Sequence, residues 1–204
     1  SASQSPWRDL LSGLSYIRMN RIIVALILIG VLTGIFAGSL PTLLPVFAEK
    51  VLSGNVETYG ILLLSSGVGG MIGAMALANF VRLRNSSAIQ LIAGAGLGTG
   101  FMVLAGIEWV PVAIFIIAII GIFSVCFGTI NNTLLQSILD DAFRGRVMSI
   151  HQIGWGASAI GSLFVGVLAE LVSVTFAFAV CGLITAVSAT TLSLYVSKRL
   201  NSKH

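Results

Sequence analysis

Apolar residues in this chain neither alternate with polar ones nor recur along a single helical stripe. They run on for twenty positions or more and are broken only by short polar turns. Six such runs stand at about 22–47, 58–80, 87–107, 110–138, 147–169 and 174–196. A helix needs roughly 20 mainly apolar residues to cross about 30 Å of hydrocarbon. Each run meets that length with no Lys, Arg, Asp or Glu well inside it. Membrane β-barrel strands alternate apolar and polar over about 10 residues, and these runs do not. The pattern predicts an all-α membrane protein: a transmembrane bundle of six helices over 22–197, after a linker or amphipathic segment over 1–21 and before a short tail over 198–204.

Composition removes the soluble alternative. Of 204 residues, 56% are hydrophobic and 9% charged, against about a quarter charged in an ordinary soluble domain. The basic residues then orient the bundle, because Lys and Arg are retained on the cytoplasmic side. Arg8, Arg18, Arg21, Arg82, Arg84, Arg144, Arg146, Lys198, Arg199 and Lys203 fall on one side of the six-span topology, and only Lys50 on the other. Glu49, Glu57, Glu108 and Glu170 share the side of Lys50. Both termini are therefore expected in the cytoplasm, in a multi-pass protein of the inner or plasma membrane. Tyr59, Trp109 and Tyr195 fall at span ends, where amphipathic rings favour the interface.

Cys126 and Cys181 both lie inside apolar runs and read as buried thiols. The opening SASQSPWRD has neither a starting Met nor the layout of a signal peptide, so the chain is expected to begin partway through a longer protein. The stretch 5–21 offers Ser5 as N-cap and Pro6 at the first helical position, with Leu10, Leu14 and Ile17 on one side. It reads as a short amphipathic helix on the inner membrane surface or as a plain linker.

Small residues at four-residue spacing let membrane helices pack closely. Gly30, Gly34 and Gly38 form such a row in the first span, Gly69 and Gly73 in the second, and Gly94 with Gly98 and Gly96 with Gly100 in the third. Ser158, Ser162 and Gly166, with Ala157 and Gly161, do so in the fifth. Such faces serve bundle packing and also let helices slide. Pro41 and Pro45 lie in the outer third of the first span, where each removes a backbone donor and invites a bend, of the kind a gate requires or of the kind common in membrane helices that gate nothing.

Polar residues within lipid are costly and call for a reason. In the fourth span Cys126, Thr129, Thr133 and Gln136 follow a three–four spacing, with Asn132 alongside and Asn131 at the edge. In the fifth, His151, Trp155 and Ser158 share a face, with Gln152 adjacent. Two readings stand: the stripes line a water-filled cavity open to the cytoplasm, or they bond helix to helix. His151 is likewise either a proton carrier or a hydrogen-bonded structural residue, and no carboxylate lies at mid-membrane depth beside it. Enzyme motifs are missing: the sequence has no Gly-x-Ser-x-Gly, no His-Glu-x-x-His and no Gly-x-x-x-x-Gly-Lys, and its only histidines are His151 and His204. No metal or cofactor is expected.

Between the fourth and fifth spans, Asp140 and Asp141 are expected to end one helix, while Arg144, Gly145 and Arg146 introduce the next. A tight, internally paired loop there would fix two helix ends relative to each other. The run 134–170, with Arg144-Gly145-Arg146-Val147 followed by Met148-Ser149 and a Gly-rich helix, resembles the tenth and eleventh spans of major facilitator superfamily exporters. The likeness is to the branch that includes the enterobactin exporter and macrolide-efflux-like proteins. The stretch 7–21 is similar to that branch's central linker, and Arg82 and Arg84 keep the charge of a basic loop motif whose Gly and Asp are missing.

The resemblance implies the C-terminal six-helix half of such a transporter, built from two inverted three-helix repeats. It implies an exporter or antiporter of small amphipathic molecules, drug or siderophore in type, working by alternating access on the proton gradient. Expected partners are the lipid bilayer, a small-molecule substrate and an N-terminal six-helix half, with no nucleic acid. Thr33, Phe36, Thr129, Asn132, Thr133, Gln136, His151, Gln152 and Trp155 are the substrate-cavity candidates. A second reading is a six-helix subunit or assembly factor that does not transport and binds partner helices through its glycine faces.

Overall fold

The computed structural model describes residues 6–80, 86–156 and 158–201, and among them the regular structure is helical throughout. The side chains of Leu10 and Trp155 fall outside the described residues, as do Ser5, Arg82, Arg84, Ala157 and Lys203. A first helix α1 (Pro6–Met19) precedes six membrane-length spans. Span one is α2 (Arg21–Phe36) and α3 (Leu40–Lys50), span two α4 (Val56–Phe80) and span three α5 (Ser86–Leu104). Span four is α6 (Val110–Ile138), span five α7 (Asp141–Gly156) with α8 (Ser158–Leu171), and span six α9 (Val174–Asn201). The chain is a multi-pass membrane protein.

Span one is broken at a 3₁₀ turn over Ala37–Ser39, and Pro41 explains the position. A proline inside a helix has no N–H for the carbonyl four residues back and clashes with it; for Pro41 that carbonyl belongs to Ala37. The Leu40 N–H takes the Ala37 carbonyl in a tighter turn instead. The Ser39 hydroxyl donates to the Phe36 carbonyl at 2.6 Å. Pro45 lies within α3, which passes through it unbroken.

The packing follows a swap. Spans one to three and four to six form two triplets, and within a triplet the substantial contacts are α3 with α4 and α8 with α9. The large seams cross between triplets: α4 on α6, matched by α2 on α7 and α8; α5 on α6, matched by α2 on α9; and α5 on α9, its own counterpart. This is the contact map of two three-helix repeats related by a pseudo-twofold.

Glycines make these seams. A Cβ on Gly69 would strike the Ala118 backbone, one on Gly73 the Ile122 backbone, one on Gly98 the Ala186 backbone and one on Gly161 the Ile35 backbone. These small-residue positions are thus filled by the chain's own helices, whereas Gly34 and Gly166 meet nothing within 4 Å. Two apolar cores result, one around Phe47, Phe101 and Phe178, the other around Ile23, Leu26 and Phe127 at the basic end. Outward faces are apolar too, including Leu64, Met71 and Met75 on α4 and Ile160, Leu163 and Leu171 on α8. Lipid is the solvent such faces need.

Candidate functional site

Polar side chains converge inside the bundle toward its basic end. Gln90 on α5 donates through Nε2 to Oδ1 of Asn131 on α6 at 2.8 Å, and both residues are buried. His151 on α7 has no exposed surface and faces the same point. What lets them meet is Gly30 on α2: a Cβ there would lie 2.5 Å from His151 Cε1 and 2.9 Å from Asn131 Nδ2. Four helices therefore contribute to one junction built over a bare stretch of backbone.

The junction is rich in polar atoms without protein hydrogen bonds. Both ring nitrogens of His151, Oε1 of Gln90 and Oγ of Ser86 are buried and unbonded, as is Oγ1 of Thr33, one turn along α2 from Gly30. Leaving such a group unsatisfied costs about 1–3 kcal/mol. In membrane proteins groups of this kind are tolerated where they line a hydrated path. Among the described residues no three His, Cys, Asp or Glu side chains are placed to hold a metal ion.

The two sequence stripes do not face each other as a pair. Span one stands between them, with α6 packed on α4, α5 and α2, and α7 packed on α1 and α2. Cys126 turns to α4, its thiol donating to the Gly73 carbonyl at 3.7 Å. Thr129 and Thr133 line a cavity of about 340 Å³ between the ends of α4, α5 and α6. The Thr133 hydroxyl donates to the Thr129 carbonyl at 2.8 Å. Asn132 is half-buried, while Gln136 and Gln152 are exposed. Phe36 packs against the other core, around Phe47. Of the cavity candidates, the structure brings His151 to the junction, sets Thr33 one turn away on α2, and distributes Phe36, Thr129, Asn132, Thr133, Gln136 and Gln152 elsewhere.

Sequence reasoning missed Gln90 and set Asn131 aside. A buried amide in an otherwise apolar third span needed an interhelical partner, and that signal was available. Gly30 was read as packing against a helix; it packs against an imidazole and an amide.

At the basic end the loop of span five is clamped. Asp140 lies between helices and its carbonyl accepts from the Phe143 and Arg144 N–H groups. Asp141, expected to close the fourth span, instead opens the fifth, where a carboxylate complements the positive helix end. Arg144, Gly145 and Arg146 accordingly lie inside the first turns of α7. The Asp141–Arg144 ion pair at 2.8 Å is exposed and within one helix, so it fixes little.

The fastening comes from α1. Tyr16 stacks on Phe143 with ring centroids 4.4 Å apart and 9° between planes. Its hydroxyl donates to Asp140 Oδ2 at 2.9 Å. Desolvation first, with the Asp140 carboxylate adding to it, raises the Tyr16 phenol above its ordinary value. Arg146 donates to the Ser12 hydroxyl at 3.1 Å and lies over the Phe143 ring. Ile17 is buried against the bundle while Leu14 stays exposed, so α1 rests on protein through part of its apolar side.

Residues 5–203 match the family model described as transmembrane secretion effector. Among curated proteins, the chain is similar to the staphyloferrin A transporter of Staphylococcus aureus, at 28% identity over 81% of this chain and 41% of that protein. It is also similar to the multidrug efflux pump Tap of Mycolicibacterium fortuitum, at 28% identity over 54% of this chain and 27% of that protein. The chain thus spans less than half the length of these relatives. No solved structure gives a significant match.

Proposed function

This chain belongs to the transmembrane secretion effector family of the major facilitator superfamily, and from that premise we propose that it is the C-terminal half of a secondary transporter. Its task is export of small amphipathic molecules, of the siderophore or drug kind that its relatives' names describe. One observation carries the reading: six spans in two swapped triplets, matching 41% of a curated transporter. Such a unit is one of two bodies that rock about a site between them.

Roles within the chain follow from what its own packing leaves uncovered. Thr129, Gln136 and Gln152 keep polar groups exposed on spans four and five, and they face the substrate path beside the N-terminal half. The broken span with Pro41 and Pro45 supplies the outer gate, because a 3₁₀ turn between two helices lets α3 tilt without carrying α2 along. The polar junction of Gln90, Asn131 and His151 hydrates as the halves rock. Proton coupling rests on the family premise. Within these spans the carboxylates of the described residues lie at helix ends, so His151 is the group suited to a proton step at depth. The excess of basic residues at one end supports a cytoplasmic setting for both termini.

The test is to express this chain in an efflux-deficient bacterium, alone and with the N-terminal half of the longer protein, and to follow ethidium loss from loaded cells. Export and co-purification are expected only for the pair. Export by this chain alone, or a pair that never associates, overturns the reading.

A further inference from the structure

Three helix ends enclose a second concavity, at the basic end and away from the junction. The C-terminus of α1, the start of α2 and the last turns of α9 line a pocket of about 450 Å³. Arg21 and Arg199 enter it from opposite helices, with Tyr16, Asn20 and Tyr195 between them. Arg199 is held over the Tyr195 ring, its guanidinium carbon 5.5 Å from the centroid. The Asn20 Oδ1 accepts from the Ile22 N–H at 3.1 Å, which leaves the amide nitrogen as the donor end of that side chain. Arg18 and Lys198 stand in the adjacent turns, both exposed. The Tyr16 hydroxyl is turned away from the pocket onto Asp140. A pocket of two guanidiniums, the Tyr195 phenol and an amide has the donor set of a phosphate site, because arginine forks match phosphate oxygens.

Its position selects the source of that phosphate. Arg21 opens the first apolar span and Arg199 closes the last, so the pocket lies at the depth where hydrocarbon meets water. Its remaining wall is apolar: Ile22, and Met19 with 84% of its surface exposed. A soluble anion has no use for that wall, whereas an acyl chain beneath a headgroup covers it. Basic pockets between transmembrane helices at this level suit anionic lipid headgroups. We propose that this pocket binds the phosphate headgroup of an anionic phospholipid from the adjoining leaflet, with Met19 and Ile22 against its glycerol and upper chain. A lipid seated there touches α1, α2 and α9 together, and so ties the clamp helix to the first and last spans.

The experiment follows thermal unfolding and native mass of the purified full chain in neutral detergent. Dioctanoyl phosphatidylglycerol is titrated against dioctanoyl phosphatidylcholine and inorganic phosphate. Saturable stabilisation with one retained phosphatidylglycerol is expected. It should weaken about fivefold for Arg21→Gln or Arg199→Gln and roughly 30-fold for both, from about 1 kcal/mol per interfacial arginine. The pair Arg18→Gln with Lys198→Gln removes the same charge outside the pocket and should leave the affinity nearly unchanged. Equal weakening in that control means diffuse surface attraction and overturns the site. Equal binding of phosphatidylcholine overturns the headgroup assignment. Inorganic phosphate matching the lipid at the same concentration means a soluble-anion site and overturns the lipid.

Discussion

Two glycines two residues apart, on opposite faces of α4, allow the packing account to be tested in isolation. A Cβ on Gly69 would lie 2.7 Å from the carbonyl carbon and 2.9 Å from Cα of Ala118, both backbone atoms that no rotamer change can move aside. A Cβ on Gly67 meets nothing within 4 Å. The Ala118 carbonyl oxygen lies closer still, and ordinary contact begins near 3.4 Å, so Gly69→Ala must push α4 and α6 apart by more than an ångström along a seam that both helices share. Overpacking of this kind costs about 1–3 kcal/mol. Both substitutions also gain the intrinsic helix preference of Ala over Gly, about 1 kcal/mol. Because the sites are neighbours on one helix, that gain cancels in the comparison and the clash remains. Gly67→Ala should match or exceed the parent in stability, and Gly69→Ala should fall below Gly67→Ala by about 1–3 kcal/mol. Equilibrium unfolding in mixed micelles, followed by circular dichroism, reads the difference. If the two variants are equally stable, α4 and α6 do not meet through Gly69 and the swapped-triplet packing is wrong at one of its large seams.

Three further outcomes follow. Gly30→Ala should destabilise by displacing the His151 ring, and adding His151→Ala should recover part of the loss, with a coupling of about 0.5–3 kcal/mol in a double-mutant cycle. Gln90→Leu should cost about 1–3 kcal/mol by stranding the Asn131 amide, and Gln90→Leu with Asn131→Leu should cost less than the sum; additive losses would deny their contact. Tyr16→Ala removes both the Phe143 stack and the Asp140 hydrogen bond, so hydrogen exchange across 12–19 should quicken while that of α5 does not; unchanged exchange would show that α1 is held by something else.

Span number and helical class were legible because run length alone decides them. The break in span one was legible as a bend at Pro41, although its place four residues earlier follows from which carbonyl the proline ring strikes. Which face each polar residue took was not legible. Thr129 and Thr133 share a stripe with Gln136 in sequence, yet the first two line a cavity shared with α4 and α5 while Gln136 stands apart from it. Helical spacing says which residues lie together and is silent on what lies opposite them. Asp141 was misplaced for a related reason: it closes an apolar run, but its backbone belongs to the next helix, whose positive end favours it.

The swapped seams carry a consequence for biosynthesis. Spans one to three have little of their substantial packing among themselves, so when they have entered the bilayer and the rest is still being translated, their glycine faces are met only by lipid. The bare strip around Gly69 and Gly73 waits for α6, and the strip around Gly30 waits for α7. Nothing in the first triplet commits to its final place until the second arrives. A translation pause or truncation between α5 and α6 therefore leaves not half of a folded body but three loosely associated helices, exposed to the quality-control proteases of the membrane.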